Sequence, residues 1–223
     1  MDAFTALAGS DFASRRSTPG LIADSIRAGM LDGRIGGGQK LVQKDLARAF
    51  GTSRIPIREA LRQLESDGLI DYSPHRGAIV SILTPSEVEE IYEMRAPLET
   101  LALRLAIPHL DSERLTAARR AIDDSGRARD ASLFGSLNWR FHEALYDAAG
   151  RPRLLKTIRN LYIHASRWPH FQKHQRKAFA ATIGEHREIL RACERRNVAA
   201  AVKALARHLA ASQQLIVQYL EAR

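Results

Sequence analysis

Three arginines recur at four-residue intervals in one short segment: Arg54, Arg58 and Arg62. On an α-helix, which turns by about 100° per residue, this spacing puts them on one stripe about 80° wide. The stripe flanks the apolar arc of the same segment, which consists of Ile57, Ala60, Leu61 and Leu64. An arginine near a helix N-terminus can bond O6 and N7 of guanine with its forked guanidinium, and each good pair discriminates between bases by about 1–3 kcal/mol. The spacing alone fits equally well a solvated basic face whose partners are Glu59 and Glu65.

The arginines belong to the last of three helices predicted in the first part of the chain. The first helix spans about 18–31, the second about 42–50, and the third begins near Ser53 and ends at Asp67-Gly68. Gly51-Thr52-Ser53 is a tight turn between the second and third helices, which is typical of a helix-turn-helix. The first helix presents an apolar stripe made of Leu21, Ile22, Ile26 and Met30. The second helix is expected to bury Leu46, Ala47 and Phe50.

Two short β-type runs follow the third helix, at 69–72 and 78–83. The turn-forming residues between them predict a β-hairpin, which would be the wing of a winged helix-turn-helix. Arg76 lies at the tip of this predicted wing, beside Gly77, where its side chain would enter the adjacent DNA groove or contact the backbone.

Long helical patterns with few breakers begin after residue 83. Thr84-Pro85-Ser86-Glu87 has the residues of a helix N-cap, with proline at the first helical position and a carboxylate at the third. We therefore predict a flexible N-terminus at 1–13, a winged helix-turn-helix domain at 14–83 and an all-helical domain at 84–223. The second domain is expected to be an antiparallel bundle of about six helices, at roughly 85–107, 111–124, 130–148, 152–168, 173–195 and 198–221. The predicted fold class is mainly α.

The first domain carries a motif that is specific in residue type and in spacing. It consists of Asp45-Leu46-Ala47, Gly51-Thr52-Ser53-Arg54-Ile55-Pro56-Ile57-Arg58-Glu59-Ala60-Leu61, Leu64, Asp67-Gly68-Leu69-Ile70 and Arg76-Gly77-Ala78-Ile79-Val80. Over residues 18–82 it resembles the winged-helix signature of GntR-family bacterial transcription regulators. The resemblance implies that operator DNA meets seven residues: Lys44, Ser53, Arg54, Pro56, Arg58, Arg76 and Gly77. We expect Arg54 and Arg58 to bond bases, Lys44 and Ser53 to bond phosphates, and Pro56 to make only apolar contact.

The second domain resembles the FCD effector domain of the FadR-type branch of that family. The likeness rests on three segments, together with His208 at the expected distance in the last helix: Ile91-Tyr92-Glu93-Met94-Arg95-Ala96-Pro97-Leu98-Glu99, Asn138-Trp139-Arg140-Phe141-His142-Glu143-Ala144-Leu145 and Glu185-His186-Arg187-Glu188-Ile189-Leu190. It implies a domain that binds an effector and forms a dimer.

The resemblance also implies a metal site made of Asn138, His142, His186 and His208. Asn138 and His142 are four residues apart, so their side chains leave one helix face together. His186 and His208 lie on two helices that the short loop at Arg196-Asn197 makes antiparallel neighbours. Three imidazoles and one oxygen converging in a bundle suit a divalent transition metal ion of the Zn, Ni or Mn type.

Asn138 stands where the family usually has aspartate. Its carbonyl oxygen can coordinate a metal ion but brings no charge, so three imidazoles and one amide leave the ion's charge uncompensated. We therefore expect weaker metal binding and an anionic effector as an additional ligand. The remaining histidines are expected to be ordinary core or surface residues: His75, His109, His164, His170 and His174.

Arg95 is the predicted effector-binding residue, because its equivalent in this subfamily often points into the pocket, where a guanidinium suits a carboxylate. The alternative is an ion pair with Glu99 or another neighbour. Between Asp147 and Glu185 there are eight Lys or Arg residues and no acidic one, which fits either attraction of an anionic ligand or a solvated basic face.

These patterns predict a ligand-responsive transcription regulator, and the family favours a repressor that a small carboxylate metabolite releases. A homodimer on a palindromic operator is expected, because one short helix reads few base pairs. The alternative is a metalloenzyme in which the histidines activate water. Glu143 and Glu185 neighbour histidines in sequence, but adjacent helix residues point about 100° apart, so neither is expected to be a general base. No HExxH, nucleophile elbow or glycine-rich phosphate loop occurs, and we expect no enzyme.

Composition sets broad limits on these hypotheses. The chain has 223 residues, is 45% hydrophobic and can bury a sizeable core. Its net charge of +9 comes mostly from the predicted second domain, so charge is weak evidence for DNA binding. The single cysteine excludes an internal disulfide. No apolar run approaches the roughly 20 residues of a membrane-spanning helix, and there is no export signal, so we expect a cytoplasmic protein without a membrane partner.

Overall fold

Two units make up the chain in the structure, which is a computed structural model describing residues 18–31, 34–73, 77–128, 133–166 and 176–222. One unit contains the described residues up to Arg27 together with Lys40–Ile79, and the other contains Ala28–Gln39 together with the chain from Val80 onward. The domain limits 14–83 and 84–223 remain a prediction, and residues 1–13 lie outside the described ranges.

The N-terminal part of the chain contains the predicted helices and wing strands. In order, its elements are α1 (Thr18–Leu31), β1 (Lys40–Leu41), α2 (Gln43–Ala49), α3 (Arg54–Ser66), β2 (Ile70–Ser73) and β3 (Gly77–Val80). The strand order is β1-β3-β2, and β1 runs antiparallel to β3 with Lys40 opposite Ile79. β1 was not predicted, because two residues are too few to show an alternating pattern.

A small core holds α1, α2, α3 and the strands together. It includes Ile22, Ile26, Ala47, Ile57, Ala60, Leu61, Leu64, Ile70 and Ala78. The expected burial of Phe50 was wrong, because its side chain is 39% exposed, and Leu46 is half-buried. Within the apolar stripe of α1, Leu21 is 48% exposed. Leu21 lies one helical step, about 100°, away from the buried Ile22, and Phe50 follows the last residue of α2 as its C-cap.

The C-terminal part of the chain is helical, as predicted. Its described helices are α4 (Pro85–Ala106), α5 (Ser112–Arg127), α6 (Phe134–Tyr146), α7 (Pro152–Ala165), α8 (Arg176–Glu194) and α9 (Val198–Glu221), with 3-10 turns at Ile107–His109 and Asp147–Ala149. α4 packs against α6, α7 and α9, while α5 packs against α6 and α8, and α8 against α9. None of the described helices is long and apolar enough to cross a membrane.

The start of α4 is the capping box that the sequence predicts. Thr84 Oγ1 accepts a hydrogen bond from the Glu87 backbone N–H at 3.3 Å, and Glu87 Oε2 accepts one from the Thr84 N–H at 2.7 Å. Pro85 occupies the first helical position, where its missing N–H costs nothing. Two N–H groups that the helix itself cannot pair are therefore satisfied.

The turn between α8 and α9 brings two of the predicted ligands onto neighbouring helices. Arg196 adopts a left-handed conformation (φ 56°), which ends α8, and Asn197 Oδ1 then accepts from the Ala200 N–H at 3.0 Å to begin α9. The Arg196 guanidinium donates to the carbonyl oxygens of Ile107 and Leu110. Because the loop is short and anchored, α9 runs back along α8 and places His208 beside His186, with ring centroids 4.8 Å apart.

Candidate functional site

The arginine stripe of α3 is exposed, while the apolar arc that it flanks is buried. Arg54, Arg58 and Arg62 all lie in the exposed class, whereas the apolar arc predicted from the sequence is buried. In the part of the chain that the structure describes, none of the three arginines pairs with Glu59, Glu65 or any other acidic side chain. The guanidinium groups are therefore available for a ligand outside this unit.

The N-terminus of α3 also offers groups that suit a phosphate. Ser53 is the N-cap in extended conformation, and its side chain makes no capping hydrogen bond. The first N–H groups of a helix lack partners within it and favour an anion. Lys44 on α2 is exposed, and Pro56, in the first turn of α3, is half-buried.

Gly77 opens β3 with a φ of +76°, in the left-handed region that side chains disfavour. A Cβ atom there would meet only Lys40 Cε, at 3.8 Å, so the backbone conformation and not crowding calls for glycine. Arg76, the predicted wing-tip contact, lies outside the described residues.

Three histidines from three helices meet in the second unit. His142 of α6, His186 of α8 and His208 of α9 each have a ring nitrogen within 4.8 Å of one in the others. All three side chains are at most 3% exposed. Their convergence, expected from the family resemblance, is present in the structure.

The state of these imidazoles suits metal ligation. Burial lowers the pKa of His142 well below its usual range, and His186 and His208 nearby lower it further. Burial has the same effect on the pKa of His186. The Nε2 atoms of His142 and His186 are buried and have no hydrogen-bond partner among the described residues. A bound cation would satisfy both lone pairs, and neutral imidazoles are common ligands of transition metals.

Asn138 lies one helical turn before His142 and is 9% exposed. Its Nδ2 donates to the Tyr162 hydroxyl at 2.7 Å, and that hydroxyl donates to the Gly135 carbonyl at 3.0 Å. Because the nitrogen is engaged, Oδ1 is the amide atom left to serve as a ligand.

Three residues contact the histidine cluster or its hydrogen-bond partners in ways that the sequence analysis did not predict: Tyr146, Glu99 and Glu185. His142 Nδ1 lies 3.1 Å from the Tyr146 hydroxyl, which donates to Glu99 Oε2 at 2.8 Å. Glu185 Oε2 lies 2.8 Å from His208 Nδ1. The four-residue spacing of His142 and Tyr146 was a signal that could have identified the tyrosine. Glu185 was considered only as a general base beside His186, whereas it contacts the histidine of the next helix.

Arg95 is buried and paired, as the alternative interpretation of the sequence allowed. Its Nε donates to Glu99 Oε1 at 2.7 Å, and its guanidinium carbon lies 4.4 Å and 5.0 Å from the ring centres of Tyr92 and Tyr162. Burial disfavours the charge, but the Glu99 carboxylate offsets this and keeps the pKa of Arg95 above its usual value. Burial, together with Glu99, also raises the pKa of Tyr146 well above its usual range, so its hydroxyl stays protonated.

Comparisons with known proteins agree with this architecture. Residues 20–80 match the family described as bacterial regulatory proteins, gntR family, and residues 90–211 match the FCD domain. The HTH-type transcriptional regulator YdhC of Bacillus subtilis is 32% identical over 209 residues, which cover 89% of this chain and 91% of that protein. The chain belongs to the GntR family.

A further relative and a solved structure also resemble this GntR-family chain. The gluconate operon transcriptional repressor of Bacillus licheniformis is 34% identical over 152 residues, covering 66% of this chain and 62% of that protein. E. coli McbR/YncC shares the fold with a TM-score of 0.84 at 21% identity, covering 94% of this chain and 100% of that one. GntR regulators bind operator DNA and FCD domains bind small-molecule effectors. The relatives are transcription regulators and not enzymes, which agrees with the lack of a catalytic motif in the sequence.

Proposed function

We propose that this GntR-family regulator is a repressor, and that a small carboxylate metabolite bound at a metal site in the FCD domain releases it from its operator. The observation that carries the proposal is the buried three-histidine cluster with two unpaired Nε2 atoms, in a chain whose helix α3 exposes a row of arginines without acidic partners among the described residues. The first feature gives an effector a place to bind, and the second gives DNA a surface to meet.

The metal ligands in this proposal are Asn138, His142, His186 and His208, and the ion is of the Zn, Ni or Mn type. When bound, the ion supplies positive charge and open coordination positions for an anion. The protein residues contribute no negative charge to the first coordination shell, because Asn138 replaces the usual aspartate. A carboxylate effector therefore gains more from this ion than it would from one already neutralised by aspartate.

The surroundings of the cluster favour an anionic effector. Arg95 lies in the same interior, linked to His142 through Glu99 and Tyr146. A pocket of about 280 Å³ that includes Tyr146 is lined by three residues of the basic run, Arg151, Lys156 and Arg159, and by two acidic residues, Glu143 and Asp147, so basic residues are in excess. Sugar acids are a natural first choice of ligand, since one relative is named for a gluconate operon.

The proposed DNA contacts are Arg54 and Arg58 to bases, Lys44 and Ser53 to phosphates, Pro56 by apolar contact, and Arg76 and Gly77 from the wing. One α3 helix reads few base pairs, so a homodimer on a palindromic operator doubles the contacts. Met94 and Leu101 support a dimer: they lie two turns apart on α4 and are 42% and 44% exposed. In the proposed dimer the partner would cover this pair.

Mobility-shift titration on the protein's own promoter region tests this proposal. We expect specific binding of two protomers per site, weakened when a carboxylate effector is added together with metal and unchanged when either is added alone. A thermal-shift screen of dicarboxylates, sugar acids and aromatic acids, with and without Zn²⁺, Ni²⁺ or Mn²⁺, would identify the effector. A carboxylate that releases DNA equally well from chelator-treated protein would contradict the role of the metal.

Asn138→Asp is expected to tighten metal binding by at least about tenfold, which is about 1.4 kcal/mol. The new carboxylate supplies the missing charge, and the Tyr162 hydroxyl can donate to it in place of Gly135. The effector should then gain less from the metal, so its affinity should fall. Competition with a coloured chelator measures the first effect and calorimetry the second. Unchanged metal affinity would show that Asn138 is not a ligand.

A further inference from the structure

A chain of hydrogen bonds links a buried ion pair to one of the clustered histidines. Arg95 Nε donates to Glu99 Oε1 at 2.7 Å, Tyr146 donates from its hydroxyl to Glu99 Oε2 at 2.8 Å, and that hydroxyl lies 3.1 Å from His142 Nδ1. Arg95 and Glu99 are 3% and 1% exposed, and Tyr146 is 1% exposed. None of Arg95, Glu99 and Tyr146 is placed in the proposed first coordination shell.

The direction of the hydrogen bonds determines which nitrogen of His142 carries the proton. Paired with Arg95, Glu99 is a carboxylate and can only accept. The Tyr146 hydroxyl therefore donates its one hydrogen bond to Glu99, and its oxygen can only accept a hydrogen bond from the His142 ring. A neutral His142 must then hold its proton on Nδ1, so that the lone pair is on Nε2. This Nε2 is the atom that is buried and unpaired.

We infer that Glu99 and Tyr146 are positioning residues that hold His142 in its metal-binding tautomer. The inference rests on the proposed metal site. Arg95 has a part in it, because its positive charge keeps Glu99 an acceptor. Glu185 acts on His208 in the same way without an intermediate hydroxyl, at 2.8 Å from Nδ1. Two of the three imidazoles are thus oriented by carboxylates that come from different helices. Partners of this kind fix ring orientation and tautomer, and losing one typically costs about 10–100-fold in metal affinity.

Two substitutions separate the contributions. Tyr146→Phe removes the hydroxyl but keeps the ring, so His142 Nδ1–H loses its acceptor. Glu99→Gln keeps the side-chain shape but adds a donor. A glutamine N–H directed at Tyr146 would turn its hydroxyl toward the ring, and His142 would have to carry its proton on Nε2. Glu143→Gln and Tyr72→Phe are the matched controls. Glu143 follows His142 in sequence but, among the described residues, makes no hydrogen bond or ion pair with the three histidines. The Tyr72 hydroxyl accepts a hydrogen bond from Gln43 in the other unit.

Metal affinity is measured with Co²⁺ on the chelator-treated full chain, by visible absorption and by competition. We expect about 10–100-fold weaker binding for Tyr146→Phe, and at least as large a loss for Glu99→Gln. The two controls should match the wild type. Wild-type affinity in both Tyr146→Phe and Glu99→Gln would overturn the inference while leaving the proposed metal site intact. A wild type that binds no Co²⁺ would overturn both.

The tautomer itself is measured without metal, by long-range ¹H–¹⁵N correlation spectra of the histidine rings. In the wild type, His142 should show a protonated Nδ1 and a bare Nε2, and in Tyr146→Phe the proton should shift toward Nε2. A destabilised but folded variant would not by itself exchange the two nitrogens, so this readout distinguishes positioning from general support of the fold. An Nε2-protonated His142 in the wild type would overturn the inference.

Discussion

Arg58→Ala should weaken binding to the specific operator by about five- to 150-fold, which corresponds to about 1–3 kcal/mol. Arg58 is exposed one turn into α3 and, within the described residues, forms no ion pair that would compete with DNA for its guanidinium. A lost bidentate contact with guanine reduces affinity for the operator more than affinity for unrelated DNA, because phosphate contacts remain. Arg54→Ala should have an effect of the same kind, and the double variant should approach non-specific binding.

Arg62→Ala is the matched control for this prediction. It removes the same charge from the same stripe but lies two turns from the helix N-terminus. We expect it to weaken binding to operator and to random DNA by a similar small factor, with a slightly reduced salt dependence. Equal losses for Arg58→Ala on operator and on random DNA would show that Arg58 contacts phosphate and not a base. Mobility shifts at two salt concentrations measure both quantities.

His186→Leu should abolish metal binding and the effector response while leaving operator binding intact. Leucine cannot ligate a metal, yet it retains apolar bulk beside Phe141, whose ring stacks on His186 at 4.2 Å. Metal present at about 100 times its Kd stabilises a protein by about 2.7 kcal/mol, so the wild type should lose about that much stability to a chelator and the variant almost none. Thermal unfolding with and without chelator measures the difference.

His109→Ala controls for the loss of an imidazole outside the cluster, because His109 is exposed in the 3-10 turn after α4. It should retain metal-dependent stabilisation and release of DNA by the effector. Operator binding by His186→Leu should resist every carboxylate that releases the wild type. Release of the variant by effector would place the binding site elsewhere in the FCD domain.

The accuracy of the sequence predictions followed the strength of the local signal. α1 spans the predicted 18–31, because the apolar pattern and its flanking turns are clear in sequence. The capping box at Thr84 was predicted because a cap is formed by residues three apart in the chain. β1 and the exposure of Phe50 were not predicted. A two-residue strand is defined by its pairing with Ala78–Ile79, and Phe50 lies just beyond the last residue of α2 as its C-cap.

The exposed arginine stripe was a local property, so periodicity alone could place it on the flank of the buried arc of α3. The clustering of the histidines was harder to predict from the sequence, because His142, His186 and His208 come from three helices. Only the family pattern distinguished them from the other histidines. Arg95 shows the same limit: the spacing to Glu99 suggested an ion pair, but its burial between Tyr92 and Tyr162 depends on how α4 and α7 pack.

By itself the order of residues determined the helices, the capping box at Thr84, the arginine row and the resemblance to a regulator family, since each rests on neighbours a few positions apart. Only the tertiary structure shows that Glu99 of α4 contacts Tyr146 of α6 and that Glu185 of α8 contacts His208 of α9. Contacts between distant residues depend on the angle and register at which helices pack, and helical periodicity carries no information about either. The contacts of the candidate metal centre therefore depend on helix packing, whereas the amphipathic pattern of α3 is already evident in its own thirteen residues.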